Sequence, residues 1–240
     1  LDTDVEQNDP AMRDVTDRLY GGTNEHRLRQ ELLLGAGGVR AVHAFCRLTA
    51  HPEPEVFHTN EGHAGFLGVE RIRELVDQEG LTFYQALEAV RAGTVFTTHT
   101  PVPAGIDRFP RELVAQVFYG VHQLPGVFVD QILALGAETY PGGDPDVFNM
   151  AVMGFRLAQR ANGVSKLHGE VSREMFAGLW PDFDSADVPI TSITNGVHAP
   201  TWVSPLAAEV VRSTVGPDLL ETGEGWSQLA EIGDAELWAV

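Results

Sequence analysis

The chain has 240 residues, an ordinary hydrophobic fraction of 43% and a formal net charge of −18. That length is ample for a buried core and reads as one large domain or two small ones. The acidity argues against nucleic acid or an anionic membrane as partner, and no apolar run approaches the ~20 residues that a membrane span needs. Cys46 is the single cysteine, so no internal disulfide can form; on the apolar side of a predicted helix it reads as a buried structural thiol, which fits a reducing cytoplasm. The first residues, Leu-Asp-Thr-Asp-Val, carry no initiator Met and no basic-then-apolar leader pattern. The last, Ala-Glu-Leu-Trp-Ala-Val, fall inside an amphipathic pattern. Both ends read as those of an interior piece of a longer protein.

Residues 1–26 are polar and acidic, and Asp17-Arg18-Leu19-Tyr20 leads into a flexible turn at Gly21–Glu25. Residues 27–47 return apolar side chains at helical spacing, with Gly35, Gly37 and Gly38 marking close packing against another element. Val56–Thr59 is a short strand between Pro54 and Gly62. Ala64–Val76 is helical, and so is Phe83–Ala92 behind a Thr82 cap. Thr94–Thr98 is β-branched and short, a buried strand. Phe148–Ala161 reads as a helix, Val164–Leu167 as a strand, Gly169–Leu179 as a helix, Pro189–Ile193 as a strand and Ser204–Ser213 as a helix. The order of strands and helices predicts a parallel α/β layer, with no internal repeat and no low-complexity tract.

Polar clusters follow the predicted strands. His58–His63 follows one, His99–Gly105 another, Lys166–Glu170 a third and Thr194–His198 a fourth. In open α/β sheets ligands bind outside the carboxyl ends of the strands, so four such ends bearing His, Asn, Glu and Thr predict a site. Asn60, Glu61 and His63 together supply the donors and acceptors that sugar hydroxyls require; turn satisfaction around Asn60 is the plain alternative. His58, Glu61 and His63 also raise a metal site, but five residues separate the two histidines and the helical spacing of such motifs is missing. His99 opens a loop stiffened by Pro101 and Pro103, which suits a binding group as well as a structural histidine. Asn195-Gly196 alone is a turn signal, and Trp202 alone reads as core. Lys166 is the only lysine in the chain and so the only candidate here for a Schiff base.

The order of the segments is more specific than any one of them. Arg-Leu-Arg-Gln-Glu (27–31) comes first, then His-Thr-Asn-Glu-Gly-His (58–63) and Thr-Thr-His-Thr-Pro-Val-Pro-Ala-Gly (97–105). Asn-Gly-Val-Ser-Lys-Leu-His-Gly-Glu (162–170) follows, and then Ile-Thr-Asn-Gly-Val-His-Ala-Pro-Thr-Trp (193–202). Over essentially its whole length the chain resembles the middle of the α-glucan (glycogen/maltodextrin) phosphorylases, and the bacterial forms more than the animal ones. The resemblance implies an α/β fold of the GT-B type, two Rossmann-like domains across a cleft. Residues 1–193 would be the later part of the N-terminal domain. Residues 194–240 would be the crossover and the start of an incomplete C-terminal, cofactor-bearing domain.

The resemblance also implies the chemistry: inorganic phosphate attacks the terminal α-1,4-linked glucosyl unit and releases glucose 1-phosphate with retention. The family's cofactor is pyridoxal phosphate, on a lysine far beyond position 240, and Lys166 does not match it. The missing C-terminal domain would also bring the groups that hold the substrate phosphate, so this piece alone is expected to be inactive. His99 and Asn195 match residues that bond the glucosyl 6-hydroxyl. Glu61 and His63 match an Asp and a His below the anomeric carbon, with Gly62 replacing a Thr. On this reading His99 and Glu61 are catalytic, Asn195, His63 and Asn60 bind substrate, and Trp202 lies near the cofactor phosphate. Pro200 and Thr201 stand where the animal enzymes have two arginines. Gly21–His26 matches a gate over the active site. Glucan and phosphate are then the partners, with a homodimer of the full-length form compatible with the family. Two alternatives stay open: half of a GT-B glycosyltransferase that uses a nucleotide sugar, and a metal-dependent hydrolase built on His58, Glu61 and His63.

Overall fold

A computed structural model describes residues 1–18, 21–120, 124–216, 219–222 and 224–238. Leu19 and Tyr20 of the expected lead-in, and Ala239 and Val240 of the expected terminal pattern, lie outside the described residues. The chain divides into two compact units, Leu1–Thr194 and Asn195–Val240.

The first unit opens with a short 3-10 turn and then helix α1 (Asn24–Leu32), capped by the Thr23 hydroxyl, which accepts from the His26 amide. A π-helical stretch, Leu33–Gly37, carries it without a break into α2 (Gly38–Thr49). The predicted helix over 27–47 is therefore one helical path with a wide turn at its glycines. The physical reason is a close approach: a Cβ on Gly35 would lie 2.7 Å from the Leu67 amide nitrogen. The path ends at Ala50, which adopts a left-handed conformation.

Strand β1 (Phe57–Asn60) leads through a 3-10 turn into α3 (Phe66–Glu79). Helix α4 (Phe83–Ala92) carries a full capping box between Thr82 and Gln85, and β2 is Thr94–Thr98. A long excursion follows: β3 (Arg108–Pro110), α5 (Arg111–Tyr119), α6 (Val129–Leu135), β4 (Val147–Asn149) and α7 (Met150–Leu157). Strands β3 and β4 pair antiparallel as a small second sheet. The chain then returns through β5 (Arg160–Gly163), α8 (Lys166–Phe176) and β6 (Ile190–Ser192).

Four strands form one parallel sheet in the order β1-β2-β5-β6. Phe96 on its central strand meets Phe155 edge-on, with ring centroids 4.7 Å apart, and Phe155 packs on Phe176. Gly154 lets α7 approach this closely, because a Cβ there would penetrate the Phe96 ring. A larger core lies among α1, α3, α4, α5, α6 and α7, around Phe66, Ile72, Phe148 and Met153. On the other face of the sheet, polar side chains run across three strands. His58 Nε2–H donates to Thr97 Oγ1 at 2.8 Å, and that hydroxyl donates to Asn162 Oδ1 at 3.0 Å.

Three sequence expectations need correction. Phe148–Ala161 is not one helix but strand, helix and strand, and its helix starts where Asn149 Oδ1 accepts from the amides of Ala151 and Val152. Val164–Leu167 is not a strand; Ser165 caps α8 by accepting from the His168 amide at 3.1 Å, and Lys166 is the first helical residue. Helix α8 accordingly begins before Gly169.

The second unit holds α9 (Ala199–Trp202), α10 (Pro205–Thr214), α11 (Leu219–Thr222) and α12 (Asp234–Trp238). Its core centres on Ala208, Val211, Leu219 and Leu220. Among the described residues no helix is long and apolar enough to cross a membrane.

Candidate active site

The carboxyl ends of β1 and β2 lie side by side and open on a cavity of about 600 Å³. It is lined by Arg27, Asn60, Glu61, His63, His99, Thr100, Gly105 and Asp107. Two of the four polar clusters expected from the sequence thus meet in one place. The third lies in the first turns of α8, and the fourth lies mostly in the second unit.

Glu61 organises the cavity floor. Its amide donates to the Thr97 carbonyl at 2.8 Å, continuing the ladder one residue past β1. Its Oε1 then accepts from the His99 amide, from the Thr100 amide at 2.5 Å and from the Thr98 hydroxyl at 3.3 Å. A single buried carboxylate oxygen therefore ties the start of the His99 loop to the end of the neighbouring strand. Glu61 does so from φ 54°, ψ −174°, a region that L side chains rarely adopt. Gly62 follows because a Cβ there would collide with Met150. His99 Nε2 lies 3.3 Å from Asn60 Oδ1, so the two exposed side chains form one polar edge of the cavity.

The opposite wall is an ion cluster. From α1, Arg27 Nη2 reaches Glu31 Oε1 at 3.0 Å and Asp107 Oδ2 at 2.8 Å. His63 Nδ1 lies 3.1 Å from the same Asp107 oxygen and 3.7 Å from Glu31 Oε1. Burial pushes the Glu31 carboxyl up to about 7. Hydrogen bonds to the Asp107 and Glu31 carboxylates hold the His63 imidazolium up to about 9. Burial alone would raise Asp107, but bonds from His63, Glu31 and Arg27 hold it well below the usual carboxylate range. Neither Arg27 and Glu31 nor Asp107 was assigned to a site from the sequence. An Arg and a Glu four apart on a helix read as a surface pair, and Asp107 reads as a solvated loop charge.

Glu31, His63 and Asp107 are the group with a metal-like donor set among the described residues. The Arg27 guanidinium nitrogen already lies between their donor atoms, where a cation would sit. His58, Glu61 and His63 are not gathered in this way: His58 faces Thr97, and Glu61 serves backbone amides.

Lys166 is exposed at the start of α8 and is not among the residues that line the cavity. The lining offers no amine that could form a Schiff base, so the residues here do not by themselves fit covalent pyridoxal phosphate. Asn195 is exposed ahead of α9, and Trp202, at the end of α9, is 79% exposed. Both belong to the second unit and are described with it.

A polar, histidine-bearing cavity at the strand ends of a parallel α/β sheet is a candidate small-molecule site. Comparison with known proteins narrows the class. The carbohydrate phosphorylase family matches residues 10–237. The chain is 56% identical to the glycogen phosphorylase of Mycobacterium tuberculosis over 99% of its own length and 28% of that protein. It is 40% identical to the maltodextrin phosphorylase of Thermococcus litoralis, over 99% of the chain and 27% of that protein. It is 35% identical to the glycogen phosphorylase of Aquifex aeolicus, over 99% of the chain and 33% of that protein. The chain belongs to the carbohydrate phosphorylase family and spans about 28% of the length of the first of these relatives.

Proposed function

We propose that the full-length protein is an α-glucan phosphorylase and that this chain supplies the sugar side of its active site. Inorganic phosphate would cleave the terminal α-1,4-linked glucosyl unit and yield glucose 1-phosphate with retention. The observation that carries the reading is the cavity at the ends of β1 and β2, where Asn60, Glu61, His63 and His99 converge in a family member.

In this reading His99 and Asn60 form the edge that holds sugar hydroxyls, and Glu61 fixes the His99 backbone while bringing a carboxylate close to the reacting carbon. An oxocarbenium-like transition state gains from such fixed negative charge in a site that excludes water. His63 faces the sugar from the opposite wall. Asn195 would bond the 6-hydroxyl and Trp202 would lie near the cofactor phosphate, both from the start of the second domain of a GT-B enzyme. The proposed boundary is at 193/194, with a homodimer and a cytoplasmic location for the complete enzyme. Pyridoxal phosphate would have to be held through a lysine outside these residues, and its phosphate would there supply acid–base chemistry.

The test is direct. The full-length protein, incubated with maltodextrin and inorganic phosphate, should release glucose 1-phosphate with the α configuration. The 240-residue chain should release none, and borohydride should trap no cofactor on Lys166. Transfer that requires a nucleotide sugar and ignores phosphate would replace this reading with a nucleotide-sugar glycosyltransferase.

A further inference from the structure

The cavity wall formed by Arg27, Glu31, His63 and Asp107 has a proton count that its geometry constrains. Glu31 is 1% exposed, and its Oε2 is buried with no hydrogen-bond partner. Its Oε1 shares one guanidinium nitrogen with Asp107 Oδ2, and the His63 Nδ1 lies against both oxygens. Two carboxylates this close, one of them out of water, are poorly balanced by a single guanidinium. A second positive group or a proton must stand between them: the Glu31 carboxyl, raised by burial, can take one itself, and His63 Nδ1, which lies against both oxygens and 3.4 Å from Arg27 Nη2, is the other titratable atom in that place. Across the cavity, Glu61 and His99 are the other titratable groups in the lining. Glu61 Oε1 is directed to the His99 and Thr100 amides and not to His63.

We infer that Asp107, backed by Glu31, is a positioning residue that fixes the His63 ring in the cavity wall with Nδ1–H as donor, so that a bound sugar meets an imidazolium of one orientation. The direction of the His63 and Asp107 shifts agrees with this arrangement. Neither Asp107 nor Glu31 need touch the substrate; both act through His63. The catalytic side of the inference rests on the phosphorolytic reading, whereas the state of the ring does not.

Two measurements separate those parts. In the chain carrying 13C-labelled histidine, with His63→Gln used to assign its ring signal, His63 should titrate near 9. Asp107→Asn should lower that midpoint by about one unit or more, and Asp107→Glu should keep most of the elevation. A wild-type midpoint near the ordinary 6.5, or one that Asp107→Asn leaves in place, overturns the inference. The wild-type midpoint decides the matter even if Asp107→Asn fails to fold. In the full-length enzyme Asp107→Asn should move the alkaline limb of kcat/KM toward lower pH, and an unmoved limb removes the positioning role in turnover. A full-length protein without phosphorolysis but with His63 titrating near 9 would sink the proposed function and leave the ring assignment standing.

Discussion

Replacing Glu61 tests how the cavity floor is held. In Glu61→Ala the His99 and Thr100 amides and the Thr98 hydroxyl lose their common acceptor. Thr98 is fully buried, whereas His99 is exposed and can turn to water. At about 1–3 kcal/mol per stranded buried donor, discounted for the exposed one, the loss should be about 2–4 kcal/mol. Glu61→Gly loses the same contacts but relaxes the φ of 54°, so it should be about 1 kcal/mol more stable than the Ala variant. Glu61→Gln keeps an acceptor oxygen and loses only the charge, which should cost about 1 kcal/mol. Urea denaturation of the three variants gives these differences from the midpoint at constant slope. An Ala variant within about 0.5 kcal/mol of wild type, or a Gly variant less stable than Ala, would refute the account of the floor. In the full-length enzyme Glu61→Gln should also lose about tenfold or more in kcat/KM, because the fixed charge is gone. If it stays folded and fully active, Glu61 holds the loop and does nothing further.

His99→Ala and Asn195→Ala in the full-length enzyme should each lower kcat/KM by about 1–3 kcal/mol of transition-state binding and weaken discrimination against 6-deoxyglucose 1-phosphate; unchanged discrimination takes both out of the sugar site. Glu70→Ala should cost about 1–3 kcal/mol in denaturant, because Arg40 and Arg73 lose a shared acceptor, while Arg40 can turn to water and Arg73 keeps Glu74 and Asp77. Stability should fall as pH rises from 7 to 10: the His63 contribution is complete below its ordinary 6.5 and is lost as pH passes about 9. Glu31 acts in the same direction at lower pH: its contribution is complete below its ordinary 4.5 and is lost as pH rises through about 7. In melting-temperature measurements against pH, His63→Gln should flatten the part of the slope near 9. Gly154→Ala should destabilise the first unit by about 1–3 kcal/mol through contact with the Phe96 ring, seen as a lower denaturation midpoint.

Local signals decided which elements could be read from the sequence. Strand β2 and helix α4 have the predicted limits, because a β-branched run and a Thr82–Gln85 capping box mark them without help from the rest of the fold. Helix α7 could not be delimited in this way. All its residues except Arg156 are buried, so its apolar run has no solvent face to supply a period, and it merged with the strands on either side. At α8 the cap signal of Ser165 was outweighed by the β-branched Val164. Asn60, Glu61, His63 and His99 could be picked out as cavity candidates because each stands at or just after a strand end. Glu31 and Asp107 could not, since they come together only after a contact between α1 and a loop about 75 residues further on.

The polar rungs from His58 through Thr97 to Asn162 bear on how the parallel sheet assembles. An apolar strand can slide by two residues along its neighbour and still present hydrophobic side chains to the same face. Here such a slip would move the Thr97 hydroxyl away from both of its partners and leave Asn162 buried with an unused amide oxygen. Misaligned pairings of β1, β2 and β5 are thereby penalised. Because each residue advances a strand by about 3.3 Å, a single slip of two would carry His99 about 7 Å along the sheet axis from Glu61, out of reach of the carboxylate that holds it. The side chains that choose the alignment, His58 and Thr97, thus stand only three and two residues ahead of Glu61 and His99, which depend on it.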